Sequence, residues 1–288
     1  MKILVTGSKG QLGSELQSLA VNASHQFDFT DIEELNITEE SEIDEYSRKY
    51  PFDILINCAA YTAVDLVEKE IDKALLINST APGLLAERSR LINASIIHIS
   101  TDFVFDGSAS RPYVENDPVA PVNAYGQTKC EGELNVLKGN PKSIVIRTSW
   151  LYSQYGNNFV KTMIRLGQSR DEIGVIFDQV GSPTYAYDLA KVIMEMVDIL
   201  ENEKENSDKW GIYHFSNEGV ASWYDFAYEI FMLKNIKLKL KPILTRDYPT
   251  PARRPHFSVM DKSKIKSVFG IQIPHWKESL GECIARMD

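Results

Sequence analysis

The chain opens with "KILVTGSKGQLG", a run of branched apolar residues that passes into three glycines, Gly7, Gly10 and Gly13, spaced G-x-x-G-x-x-G. Branched side chains favour a buried strand. Glycines at that spacing let the chain turn tightly and enter a helix with its first backbone N–H groups uncovered. The helix N-terminus then presents positive potential at one point, which suits a pyrophosphate. A glycine triplet alone is weak evidence. Here Asp31 closes the next apolar segment, 18 residues beyond Gly13, where a carboxylate can hold adenosine ribose hydroxyls. A plain strand-to-helix turn with a solvated aspartate is the alternative. The combination predicts a dinucleotide site built from Gly7, Gly10, Gly13 and Asp31. Asp31 favours NADH because a carboxylate repels a 2′-phosphate, whereas Lys9 can offset that repulsion, so NADPH or NADH is expected.

The same pattern continues. Short apolar runs "QFDFT" (26–30), "DILIN" (53–57), "SIIHIS" (95–100) and "SIVIR" (143–147) alternate with helical stretches from about Gln11, Glu39, Asp65 and Asn123. That alternation predicts an α/β fold, a Rossmann-type doubly wound parallel sheet with a smaller C-terminal substrate-binding lobe. The expected division is a dinucleotide-binding domain over 1–149, with a returning segment around 173–215, and a substrate-binding lobe over 150–172 and 216–288. The polar stretch "LENEKENSDK" (200–209) is expected to be a solvated helix end and loop. A net charge of -9 without a basic cluster argues against nucleic acid or an anionic membrane as partner. Three widely spaced cysteines without a CxxC suggest neither a disulfide framework nor a zinc site. No apolar run approaches a membrane span, so a cytoplasmic location is expected.

Chemistry enters at "AYGQTKCEGE", where Tyr125 and Lys129 stand four apart and so share one helix face. With 13 tyrosines and 20 lysines, chance supplies about one such pair, and Tyr187 with Lys191 makes a second. What separates them is the segment ahead. "HISTDFVFDG" ends the fourth strand with Ser100, Thr101 and Asp102 at the carboxyl edge of the sheet, where open α/β folds bind ligands. A ketone receiving hydride needs a proton, which Tyr125 can donate if its pKa falls from ~10 towards 7. The charge of Lys129 is expected to supply that shift, and Thr101 to hydrogen-bond the carbonyl. "YDLAKVIMEMVDIL" reads instead as an ordinary amphipathic helix.

Taken together, "TGSKGQLG", "STDFVFDG" and "YGQTK" resemble the extended short-chain dehydrogenase/reductases. More narrowly, "NCAAYTAVDLVE", "LLINSTAP", "IRTSWLY", "NNFVKTM", "FDQVGSPT" and "YPTPARRPHFS" follow the order found in the dTDP-4-dehydrorhamnose reductase family. The resemblance implies reduction of a 4-keto dTDP-sugar by NADPH or NADH. It implies cofactor contacts from Gly10, Gln11, Leu12, Asp31, Ala60, Tyr61, Thr62, Tyr125 and Lys129. Thr101 and Asp102 would meet the substrate, with Val64 and Trp150 lining the sugar pocket. Arg253 and Arg254 in "PARRP" can neutralise a diphosphate, and Asn78 is expected to fix a helix near the site. Some relatives hold magnesium at a dimer interface; the family thus leaves room for a homodimer, while no metal ligands can be placed here.

Three neighbouring activities compete. Sugar-nucleotide 4,6-dehydratases follow the strand-end threonine with Asp-Glu, whereas this chain has Asp102 and Phe103, and phenylalanine moves no proton. A 4-epimerase would retain tightly held NAD. Regulatory subunits of methionine adenosyltransferase resemble this family and keep the pair without turnover, but have no need of a sugar pocket.

Overall fold

The parallel sheet follows from where the branched residues fall. In the computed structural model, which describes residues 1–201 and 208–287, five strands form at the apolar runs: β1 (Lys2–Thr6), β2 (Gln26–Thr30), β3 (Ile54–Asn57), β4 (Ser95–Thr101) and β5 (Ser143–Thr148). A sixth, Gly211–His214, joins the sheet beside β5, and all pairings are parallel. The polar stretch at 200–209 lies for the most part outside the described residues.

Strand periodicity assigns the side chains to two faces. Ile3, Val5, Ile54, Ile56, Ile97, Ile144 and Ile146 pack against helix α1 (Gln11–Ala20), through Leu12 and Leu16, and against the helix Ala186–Glu201. On the opposite face, Leu4, Leu55, Ile96 and Val145 meet Leu85 and Val136. Each fully buried branched side chain contributes roughly 1.5–3 kcal/mol, so the sheet is held from both sides. Ile265, Phe269 and Ile271 return to cover the first face.

A second apolar cluster gathers Tyr152, Val160, Ile173, Val175, Phe226, Ile230, Trp276 and Leu280. The strand Glu172–Ile176 belongs to it and pairs in parallel with Lys239–Ile243.

The strand order places the site. β1 pairs with β2 on one side and β3 on the other, so the loops leaving β1 and β3 border one crevice at the carboxyl edge. Gly7 has φ +70, and a Cβ there would lie 2.6 Å from the Ala59 nitrogen. A Cβ on Gly13 would lie 2.4 Å from the Gly7 oxygen. Both positions admit glycine alone.

Candidate active site

The glycine turn leads into α1 at Gly10, which caps the helix in extended conformation without a side-chain cap. The first N–H groups of α1 are therefore available to an anion. Beside them lies a cavity of about 540 Å³ lined by Gly7, Gly10, Asp31, Cys58, Ala59 and Ala60 among others. Asp31 Oδ2 accepts from Lys9 N at 2.9 Å, and Lys9 Nζ turns away to Glu33 at 2.6 Å. A glycine cradle, a free helix end and a carboxylate bordering one cavity fit the pyrophosphate and adenosine ribose of a dinucleotide. The Leu12 side chain is buried in the sheet core, so only its backbone can take part. The Gln11 amide reaches Leu151 O at 3.5 Å and accepts from Asn158 at 3.0 Å.

The helix Ala124–Gly139 carries Tyr125 and Lys129 to the same edge. Asn123 caps it, accepting from Gly126 N at 2.8 Å while its own amide donates to Arg253 O at 2.7 Å. Two glycines allow the close seating: a Cβ on Gly126 would lie 2.2 Å from Phe103 O, and one on Gly132 2.0 Å from Asn78 O. Asn78, in a π-helical turn over Leu76–Thr80, accepts from Tyr61 N at 2.8 Å and donates to Thr128 Oγ1 at 3.2 Å. It ties the loop after β3 to the helix. Around Tyr125 gather Tyr61, Val64, Val67, Phe103 and Ala74; the Phe103 ring stands edge-on at 5.6 Å. Thr62 is exposed and Ala60 half-buried.

The electrostatics depart from the expectation that lysine draws the tyrosine down. Burial, the largest cause, pushes the Tyr125 hydroxyl up to about 12; Thr101 beside it pulls downward and the Asp102 carboxylate adds to the rise. Lys129 is turned elsewhere, donating to Ile99 O at 2.7 Å with His98 Nε2 at 3.3 Å. Burial lowers it to about 8, against Glu133 and Cys58, which raise it. The tyrosine is therefore a fully protonated donor across neutral pH.

Asp102 is 1% exposed, and burial pushes its carboxyl up to about 6. Thr101 Oγ1 donates to Oδ1 at 3.1 Å. Oδ2 lacks a hydrogen bond of proper geometry, although Ser258 lies near enough to favour the charged form. A carboxyl raised on folding binds its proton more tightly in the native state. Its charged form then opposes folding increasingly as pH climbs from about 4 to about 6, and fully above. Asp102→Asn should accordingly raise Tm by at least ~2 °C at pH 7.5, corresponding to ~1 kcal/mol, with a smaller gain at pH 4.5. Thermal unfolding at the two pH values checks this; equal shifts at both would contradict it.

Trp150 adopts φ 48 and stacks on Trp223, rings 3.6 Å apart and 8° from parallel. Of the paired arginines, Arg254 grips Asp65 through both nitrogens, at 2.8 and 3.1 Å, while the Arg253 side chain is exposed. Trp223, Asp65, Asn57, His98 and the Glu133–Arg147 pair were not singled out by the sequence. Asp65 and Trp223 had no local signal; the others are polar residues inside or against strands, an anomaly that could have marked them. Tyr187 sits with the second cluster, and its Lys191 pairs with Asp188 at 2.9 Å.

The family model described as RmlD substrate binding domain matches residues 1–288. A dTDP-4-dehydrorhamnose reductase of Aggregatibacter actinomycetemcomitans is 43% identical, covering 97% of each chain. Among solved structures, a dTDP-4-dehydrorhamnose reductase of Clostridium acetobutylicum superposes with TM-score 0.95 at 43% identity, covering 100% of this chain and 99% of the other. One from Bacillus anthracis, in complex with NADP, gives 0.93 at 39% identity and 99% coverage of both. With the whole length matched by the family model and by relatives at this identity, the chain belongs to the dTDP-4-dehydrorhamnose reductase family.

Proposed function

We propose that this protein reduces dTDP-4-dehydro-L-rhamnose to dTDP-L-rhamnose with NADPH or NADH. The reading rests on one juxtaposition above all: the glycine cradle after β1 and the Thr101–Tyr125 pair border the same carboxyl edge of the sheet. Gly7, Gly10, Gly13 and the first N–H groups of α1, including those of Gln11 and Leu12, hold the pyrophosphate. Asp31 takes the ribose hydroxyls, and Ala60, Tyr61 and Thr62 border the remainder. When bound, the dinucleotide supplies the hydride that reduces carbon 4. Thr101 orients the carbonyl oxygen, Tyr125 gives that oxygen its proton, and Lys129, the other member of the catalytic pair, binds the nicotinamide-side ribose. Asp102, Val64 and Trp150 shape the sugar pocket, and Arg253 faces the diphosphate. In this proposal residues 1–149 with a returning segment make the dinucleotide half, the remainder makes the substrate lobe, and the enzyme works in the cytoplasm, with a homodimer as its assembly.

Phe103 against Tyr125 argues for reduction over dehydration, since the position following Asp102 offers no group that can accept or deliver a proton. Among the described residues no helix is long and apolar enough to cross a membrane.

Purified protein mixed with dTDP-4-dehydro-L-rhamnose should oxidise NADPH or NADH, seen as loss of nicotinamide absorbance, with dTDP-L-rhamnose as product. No consumption by folded protein that binds the dinucleotide would favour an epimerase or a non-catalytic binder. In the same assay Tyr187→Phe should retain kcat within about twofold; a loss matching Tyr125→Phe would mean the wrong tyrosine carries the proton.

A further inference from the structure

Beneath the site, three neighbouring strands present polar residues in register: Thr6 on β1 opposite Asn57 on β3, and Asn57 opposite His98 on β4. All three are buried, and the polarity of the row can be read from one end. Ala59 N lies 3.1 Å from Asn57 Oδ1. A backbone N–H can only donate, so the atom facing it must be the amide oxygen, and the Thr6 hydroxyl donates to the same oxygen at 2.8 Å. The amide nitrogen of Asn57 is thereby turned to His98 Nδ1, 3.1 Å away. Nδ1 must accept. A neutral imidazole that accepts at Nδ1 carries its hydrogen on Nε2, and Nε2 stands 3.3 Å from Lys129 Nζ.

An N–H so placed meets the lone pair of an amine favourably and an ammonium unfavourably. We propose that His98 is a positioning residue, locked by Asn57 in the Nε2–H form, which makes Lys129 a weaker base than its other neighbours would. Those neighbours are Ile99 O, which accepts from Lys129 Nζ at 2.7 Å, Glu133 from its own helix and Cys58 just after β3; Glu133 is itself paired with Arg147 from β5. The row thus extends from the first strand to the lysine of the site. Full burial also holds His98 neutral, well below the ordinary imidazole range, with Lys129 contributing. The catalytic meaning rests on the role given to Lys129 above, but the tautomer does not.

Long-range proton–nitrogen NMR of the full chain without cofactor tests it directly, with the His98 signals identified by their loss in His98→Gln. The expected result is the Nε2–H pattern from pH 6 to 9; the Nδ1–H pattern or an imidazolium overturns the proposal. Asn57→Asp supplies a group that only accepts, so the hydrogen should move to Nδ1 and expose a lone pair to Lys129. The Lys129 side-chain carbon titration should then rise by at least ~1 pH unit. His98→Gln can present oxygen to Asn57 and N–H to Lys129, and should keep the midpoint within ~0.5 pH unit. An unchanged tautomer and midpoint in Asn57→Asp would reduce the row to packing. Should that variant fail to fold, the wild-type tautomer alone decides. No readout uses turnover, so failure of the reductase reading and failure of this one are told apart.

Discussion

Tyr125→Phe is expected to lower kcat at least ~100-fold while dinucleotide affinity changes by no more than about twofold, as for loss of a general acid that leaves binding intact. The substitution removes one oxygen and keeps the ring. The ring is what packs against Phe103, Val67 and Ala74, so the fold and the seating of the helix should survive. The hydroxyl, by contrast, has no structural partner that would make its removal costly beyond the site: its neighbours are Thr101 and the Asp102 carboxylate. With the phenol pushed up to about 12 by burial, the wild-type donor stays protonated across the neutral range. The tyrosine itself should therefore produce no fall in rate between pH 6 and 9, and any limb there belongs to Lys129 or Asp102. Steady-state rates together with a fluorescence titration of the dinucleotide separate the two effects. Near-normal turnover would remove Tyr125 as the proton source; equal losses of turnover and binding would make it a cofactor contact alone.

Much of this was legible because local chemistry and global fold agree. The five strands formed at the apolar runs named from the sequence, to within a residue at each end; in β1, β3, β4 and β5 branched residues buried on both faces have no competing use, whereas β2 is held by the half-buried Phe27 and Phe29 and its pairing with β1. The glycine turn was equally legible, since the spacing encodes a backbone requirement that the approach of Ala59 to Gly7 makes explicit. The choice between two Tyr-Lys pairs needed only the strand end ahead of one of them. What sequence could not supply was register and rotamer. Nothing local says that Thr6, Asn57 and His98 will lie side by side, because adjacency across strands is set by pairing. Nor does "PARRP" say which arginine will grip Asp65 and which will face outward. The lysine followed the same limit: its helix face was predicted, but its side chain points to Ile99 O and His98, and burial rather than its charge dominates the tyrosine.

Arg147→Met should destabilise the protein by roughly 3–5 kcal/mol, the cost of leaving one member of a buried ion pair without its partner. Arg147 and Glu133 are each 3% exposed in their side chains and meet at 2.7 Å, with a second contact at 3.0 Å through Nε. Ser100 Oγ also donates to Glu133 at 2.5 Å, and the guanidinium lies 5.1 Å from the centre of the Phe105 ring. The pair fastens the helix that carries Tyr125 and Lys129 to β5, with Ser100 of β4 joining from beside Thr101. Methionine keeps much of the apolar volume, so the loss measured is mainly the uncompensated carboxylate. For a chain of this length the fall in Tm should be on the order of 10 °C. Glu133→Leu in the Arg147→Met background should recover a large part of it, because an apolar pair of similar volume avoids both desolvation costs. A double-mutant cycle by urea unfolding gives the coupling, expected to exceed ~1.5 kcal/mol. Additive effects would show that the two side chains act separately, and the helix would then owe its position to the close approach at Gly126 and Gly132, the Asn123 and Asn78 hydrogen bonds and the packing of Val136 and Tyr125. In the recovered double variant the site should retain its helix but lose the carboxylate one turn from Lys129, whose influence there is to raise the lysine. Its alkaline rate limb should accordingly move to lower pH, the direction that distinguishes a change in charge from a loosened fold.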